Sequence, residues 1–460
     1  MGGLLSARLA RIRASTSAIG PDTASAKPDI ATNPAGKAAV ADYEIPDAPA
    51  SALPSPILLG PNLEAAGWQF IAPYVAYRKL AIATPPSLPA FLSFQLSILC
   101  PGSSRVFLPE RDVDVRRLLF FDLETSGLSG GAGTVAFLAA FGRLLPCDDE
   151  MKNVGQGEGF EIVQYLLCDY PGEAAFLDAV NAEFQKQDQV LVSYNGKAFD
   201  MQIIRTRFSM NGLVVPELPH WDLLHAVRRL WRRTLPSCSQ QAVEKNILGI
   251  HRSDDLPGSQ APDAWFDYLR NGRDSLLAAV GEHNAQDIAG IAHLSVALDR
   301  IAREPLVASR VPAGALAHAW WMHTKRTAHD DETTDALLEK ALCEGDARAS
   351  LILASRLYKR GLHERAVGIR RALALGKPGE HDTQPFQVPP AIRIQACRQL
   401  ATDAERRLKS HTEALLWIDH ALAMENGRER DSVLLRIRRE RLLLKMKNSA
   451  VITGEKKGEA

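Results

Sequence analysis

Leu118-Leu119-Phe120-Phe121-Asp122-Leu123-Glu124-Thr125 places two acids at the end of an apolar run, with a Ser126-Gly127 turn behind them. A short, nearly continuous apolar run of this kind reads as a buried strand of a mixed or parallel sheet. Residues two apart on a strand share a face, so Asp122 and Glu124 aim at one spot. Two like charges there repel and lose hydration, which is unfavourable unless a cation joins them. A divalent metal is the economical explanation.

Downstream, two further stretches offer partners for that pair. In Val190-Leu191-Val192-Ser193-Tyr194-Asn195-Gly196-Lys197-Ala198-Phe199-Asp200-Met201, an apolar strand ends in a turn and Asp200 opens a helix. An acid in a first helical turn suits the helix dipole, which is the plain reading of an isolated Asp200. Here the turn brings Asn195, Lys197 and Asp200 to the end of a strand, where ligands sit in open sheets. In Glu282-His283-Asn284-Ala285-Gln286-Asp287-Ile288, His283 and Asp287 are four apart on one helical face. Taken singly, that pair is as well explained by a helical ion pair. The ordered set points to metal-assisted phosphodiester hydrolysis. Two hard cations about 4 Å apart can stabilise the attacking and leaving oxygens. Mg²⁺ prefers carboxylates with open positions for water, and a His beside them can orient or deprotonate the attacking water.

Phe121-Asp122-Leu123-Glu124-Thr125-Ser126-Gly127-Leu128, the 193–200 stretch and the 283–287 stretch resemble the three exonuclease motifs of the DEDD superfamily, which has the ribonuclease H-like fold. Ser129 to Phe137, and His220-Trp-Asp-Leu-Leu-His225-Ala-Val-Arg-Arg-Leu-Trp231, resemble the YprB-like branch. The resemblance covers residues 105 to 300. It implies a 3′–5′ exonuclease on single-stranded DNA or RNA using two Mg²⁺ or Mn²⁺ ions, the alternatives being a catalytically silent nucleic-acid-binding or adaptor protein that retains the fold and a structure-selective endonuclease. Asp122 would bridge both ions, Glu124 and Asp287 would bind the nucleophile-side ion, and Asp200 the other. His283 would orient the water, with a structural contact to Asp287 as the alternative. Its x3 spacing to Asp287 is that of the tyrosine subclass, while the residue is that of the histidine subclass. The catalytic candidates are therefore Asp122, Glu124, Asp200, His283 and Asp287. Thr125, Asn195, Lys197, Arg228 and Arg232 are the candidates for substrate contact. Arg228, Arg229, Arg232 and Arg233 flank Leu230 and Trp231, which suits either a solvated face or a phosphate-contacting patch. Asp222, near the start of that helix, reads as its cap, with substrate contact as the alternative. Ser129 to Thr134 is glycine-rich but lacks GK[ST] and precedes a strand, which excludes a P-loop and leaves a turn beside the metal site.

The chain as a whole has 460 residues, enough for two or three domains, and is 46% hydrophobic and 23% charged, a globular profile. Its 54 basic and 54 acidic residues cancel, so any nucleic-acid surface must be local. Six cysteines without a CxxC pair argue against zinc or a disulfide framework and fit a reducing cytoplasm. No apolar run approaches a membrane span, and the N-terminus has the wrong charge order for a secretory signal.

The expected architecture is an α/β, ribonuclease H-like mixed sheet flanked by helices, followed by an all-α, tetratricopeptide-like repeat region. Residues 1–60 read as a disordered Ala/Pro-rich leader, and 61–105 as a lead-in packing on the next domain. The exonuclease domain follows at 106–300, with strands expected at 117–124, 134–145, 160–168 and 189–193. Helices are expected at 172–186, 198–210, 221–232 and 274–299. A linker or helix (301–330), helical repeats (331–448) that could recruit a protein partner, and a flexible tail (449–460) complete the chain.

Overall fold

The structure, a computed structural model, describes residues 58–83, 93–100, 112–127, 133–144, 159–186, 188–214, 217–252, 256–327, 332–376, 388–424 and 429–455. The expected leader, apart from its last three residues, and most of the glycine-rich turn after the first motif lie outside them. The chain runs through α1 (Pro61–Ala65), β1 (Gln69–Ala72), β2 (Val75–Ala83), β3 (Ser93–Phe94), β4 (Val113–Asp114), β5 (Leu118–Thr125), β6 (Ala136–Leu144) and β7 (Gly159–Leu167). It continues through α2 (Glu173–Phe184), β8 (Val190–Ser193), α3 (Asp200–Met210), β9 (His220–Asp222), α4 (Leu223–Trp231), α5 (Gln240–Val243), α6 (Ala261–Asn271) and α7 (Ser275–Arg303). The remaining helices are α8 (Ala313–Thr327), α9 (Glu332–Cys343), α10 (Ala347–Lys359), α11 (His363–Ala374), α12 (Pro390–Arg406), α13 (His411–Ala423) and α14 (Glu429–Glu455).

Seven strands form one mixed sheet in the order β1-β2-β7-β6-β5-β8-β9. β5 pairs antiparallel with β6 and parallel with β8, and β8 is parallel to β9. The ends of β5, β8 and β9 therefore open on the same side. Alternation along β5 splits the core. Leu119, Phe121 and Leu123 join α2, α3 and α6 on one face, through Phe176, Ile204 and Trp265. Leu118 and Phe120 join α4 and α7 on the other, through Val227, Ile288 and Ile291. Asp122 and Glu124 share the second face, beneath α7. That helix lies close on the sheet because Gly142 of β6 has no side chain: a Cβ there would stand 2.5 Å from Ile288 Cγ2.

The structure extends the expected organisation at several points. The lead-in contributes β1 and β2, and β2 pairs with β7 from Val75↔Leu167 to Ala83↔Gly159. Arg78 occupies an inward position of β2 and breaks the apolar alternation that signals a strand. Trp221 and Asp222, expected as the start of a helix, belong instead to the short strand His220–Asp222, and α6 is a helix that no expected element covers. The segment expected as a linker or helix carries α8, whose Leu316 and Trp320 are buried in the same core as the sheet. The last helix runs to Glu455, into the expected tail. From α8 onward the described residues form only helices, and α9 to α14 each contact the next in sequence. No helix among the described residues is long and apolar enough to cross a membrane.

Candidate metal centre

β5 delivers Asp122 and Glu124, and between Glu124 and Thr125 the ladder with β6 shifts register. The extra residue at this irregularity is Phe137 of β6, so the regular pairing is interrupted where β5 presents its acids. Thr125 is buried, and its hydroxyl donates to the Gly127 carbonyl at 3.0 Å, so it is tied into the turn.

The β8 turn brings Asp200 to the same place. Asn195 adopts a left-handed φ of 68°, which Asn tolerates better than most residues. Gly196 lets the turn close: a Cβ would lie 2.5 Å from Ser193 Oγ and 3.1 Å from Asp200 Oδ2. Asp222 of the neighbouring β9 holds the turn. Its carboxylate accepts from the backbone N–H groups of Asn195 (2.8 Å) and Lys197 (3.1 Å). It also caps α4 by accepting from the N–H of Leu224. Asn195 and Lys197 are thus fixed through their backbones; Asn195 is exposed and Lys197 half-buried.

α7 crosses above and supplies His283, Asn284 and Asp287. Glu124, His283 and Asp287 bring one ligand atom each within 4.8 Å of one another, a group that could hold a metal ion. His283 Nε2 lies 3.3 Å from Asp287 Oδ2, so it faces the acids rather than the apolar core. Asp122 and Asp200 stand outside that tight group but share its field. Burial pushes Asp122 up to about 7, with Asp287 adding repulsion, against the Asn284 hydrogen bond and His283. Burial, then Asp122, Asp287 and Asp200, raise Glu124 well above the usual carboxylate range. Burial, then Asp122, Asp222 and Asp287, do the same for Asp200. Asp287 is raised by burial and held back by His283 and Arg252.

The donor set fits a hard divalent cation. Four crowded carboxylates resist ionisation together, and a cation among them would relieve both the repulsion and the lost hydration.

The arginine helix divides. Arg229 donates to the carbonyls of Leu99 (2.8 Å) and Ile98 (3.4 Å) and fastens α4 to the segment after β3. Arg228 and Arg232 are exposed. Several residues around the site were not singled out from the sequence. Arg252 joins Glu244 to Asp287, Gln240 donates to the Asp287 carbonyl at 2.8 Å, and Asn284 donates to Asp122. Arg252 sits in an irregular stretch with no pattern to reveal it, whereas Asn284 lay inside the third motif, one residue past His283.

Residues 119–299 match a family described as the RNase_H superfamily, which fits a mixed sheet with acids gathered at the end of a central strand. The chain is also 30% identical over 326 residues to the uncharacterized protein YprB of Bacillus subtilis (strain 168), covering 67% of this chain and 75% of that protein. It belongs to the YprB family, with a ribonuclease H-like domain and a C-terminal helical region. E. coli exonuclease I in complex with a dT13 oligonucleotide is 20% identical, with a TM-score of 0.26 over 41% of this chain and 42% of that one. The zinc-bound exonuclease I–ssDNA complex is 21% identical, with a TM-score of 0.23 over 35% and 42%. The chain thus spans about two-fifths of exonuclease I, and at that superposition the likeness bears on neither activity nor substrate.

Proposed function

We propose that the protein is a metal-dependent nuclease of the DEDD type, a 3′–5′ exonuclease acting on single-stranded DNA or RNA. The observation that supports it most is the gathering of Asp122, Glu124, Asp200 and Asp287 at one end of the sheet, with His283 among them. All four carboxylates are pushed up by burial and crowding. A set of acids this unfavourable by itself suits a site built for cations.

In this reading Asp122, Glu124, Asp200 and Asp287 would hold two Mg²⁺ or Mn²⁺ ions. The bound ions supply Lewis-acid polarisation and neutralise charge developing on the phosphodiester. His283 Nε2 takes the proton of the attacking water, and Asp287 Oδ2, 3.3 Å away, steadies the ring as it becomes charged. Asn195 and Lys197, on the turn that carries Asp200, and Thr125, next to Glu124 on β5, would steer the strand, while exposed Arg228 and Arg232 would meet its phosphates. The stacked helices from α9 to α14 form a tetratricopeptide-like scaffold for a protein partner or a longer substrate path.

The test is a cleavage assay with Mn²⁺ on end-labelled single-stranded DNA and RNA, beside Asp122→Ala and a circular substrate. Metal-dependent shortening from one end, absent in the variant and on circles, is the expected result. Cleavage equal in the variant, or none with any divalent ion, would overturn the enzyme reading. Cut circles would make it an endonuclease.

A further inference from the structure

Three side chains wholly inside the protein connect the lead-in strand β2 to Asp122. Arg78 Nε donates to Gln164 Oε1 at 2.6 Å. Gln164 Nε2 donates to Asn284 Oδ1 at 2.7 Å and to the Gly281 carbonyl at 3.0 Å. Asn284 Nδ2 donates to Asp122 Oδ2 at 2.7 Å. Arg78 is 1% exposed, and Gln164 and Asn284 are each 0% exposed.

The direction of this chain follows from its first member. An arginine can only donate, so Gln164 must turn its oxygen toward β2 and its amide N–H toward α7. That in turn fixes the Asn284 oxygen toward Gln164 and its N–H toward Asp122. Neither amide can flip alone without setting oxygen against oxygen or N–H against N–H. Asp122 Oδ2 therefore always meets a donor, and the carboxylate is held in one orientation.

The arrangement is demanding. Burying a guanidinium and two amides in a sheet–helix core is unfavourable unless their hydrogen bonds are made. Arg78 meets most of its needs through Gln164, the Ala66 carbonyl (3.3 Å), Glu282 (2.5 Å) and the face of Trp68, 4.8 Å away. Its Nη2 is still buried without an acceptor among the described residues. An apolar trio would fill the same space at lower risk, so the selection of three polar residues points to what they hold.

We propose that Arg78, Gln164 and Asn284 are positioning residues, a one-way hydrogen-bond relay that presents Asp122 to a divalent cation. This rests on the metal-centre reading above. It gives the β1–β2 lead-in a part in the site although none of its described residues contacts the four acids directly.

The decisive variant is Gln164→Glu in the full chain, read by Mn²⁺ titration with electron paramagnetic resonance and by thermal melting in EDTA. Glu keeps the shape and the acceptor for Arg78, but turns an oxygen toward Asn284. Asn284 must then rotate its amide and offer oxygen to Asp122. Partners of metal ligands typically change affinity about 10–100-fold, and a loss of that size is expected here while the protein stays folded. Arg78→Met, which leaves the Gln164 orientation held by the Gly281 carbonyl alone, should weaken binding by less and stands in if Gln164→Glu does not fold. A purely structural relay would lower the melting temperature and leave Mn²⁺ affinity intact in both variants, which would overturn the proposal but not the metal centre. Wild-type protein that binds no Mn²⁺ would overturn both.

Discussion

Arg252 Nη2 lies 2.6 Å from Asp287 Oδ1. Its Nε and Nη2 also reach the two oxygens of Glu244, each at 2.7 Å. One guanidinium thus joins a candidate metal ligand to a buried acid. The Arg252 and Glu244 side chains are only 8% and 3% exposed, so neither charge has much water to fall back on. Asp287 is correspondingly the least free of the four acids, with one oxygen on Arg252 and the other near His283.

Replacing Arg252 with Gln should destabilise the protein by about 3–5 kcal/mol, the usual effect of stranding one partner of a buried ion pair. Most of that loss belongs to Glu244, which is left buried without a cation. Glu244→Gln introduced together with Arg252→Gln should therefore recover much of it. Urea denaturation of the four proteins of the cycle, without metal, measures the coupling. Simple additivity of the two single losses would show that the pair is not the source.

The acids predict an unusual response to pH in the absence of metal. Asp122 is lifted from its ordinary 3.8 to about 7, mainly by burial. Between those values the folded protein holds a proton that the unfolded chain releases, so stability is present at the acid end and lost as pH rises through about 7. In EDTA, the melting temperature should fall from pH 5 to pH 8, and Asp122→Asn should fall less. Saturating Mg²⁺ should raise the wild-type melting temperature more at pH 8 than at pH 5, because the cation binds the ionised acids. Equal shifts at both pH values would contradict the metal reading of the cluster.

His220 predicts the opposite slope. It lies on β9 with Nε2 2.7 Å from Ser193 Oγ. Burial, with Lys197, Arg205 and His225 adding repulsion, pushes it down from its ordinary 6.5 to about 3. The unfolded chain binds the extra proton in this case, so stability is present above about 6.5 and lost as pH falls toward 3. The melting-temperature advantage of wild type over His220→Gln, which can still reach the Ser193 hydroxyl, should shrink as pH falls from 6.5 to 4, because the acids contribute equally to both proteins. A difference that stays constant over that range would mean that the ring is solvated and titrates normally.

The acids and their order along the chain were legible because strand alternation and helical spacing are local: Asp122 with Glu124, and His283 with Asp287, share faces by geometry alone. The strand and helix types of β5 to β8, and of the C-terminal helices, followed from the same periodicities. What escaped was non-local. Arg78 looks like a break in an apolar strand until Gln164 and Asn284 are placed beside it, and Arg252 has meaning only against Glu244 and Asp287. Gln164, a polar residue within Ile162-Val163-Gln164-Tyr165-Leu166, was a visible signal, since a buried strand position seldom takes an amide without a partner. The helix α6 was hidden by its irregular approach, and the β9 strand by its three-residue length.

Gly196 offers the sharpest separation of site from scaffold. An added methyl would stand 2.5 Å and 2.7 Å from Ser193 Oγ and Cβ, and 3.1 Å from Asp200 Oδ2. Ser193 cannot give way, because its hydroxyl holds the buried His220 and its strand is paired with β5 and β9. Relief must come from the turn, which carries Asp200 away from Asp122. Overpacking of this kind costs about 1–3 kcal/mol, and Gly196→Ala should lose stability in that range. Its effect on metal-dependent cleavage should be larger, on the order of 10²-fold, since a displacement of about 1 Å is enough for such a loss. Cleavage and melting temperature measured on the same preparation decide the matter. A variant that loses stability but cleaves at the wild-type rate would remove Asp200 from the site.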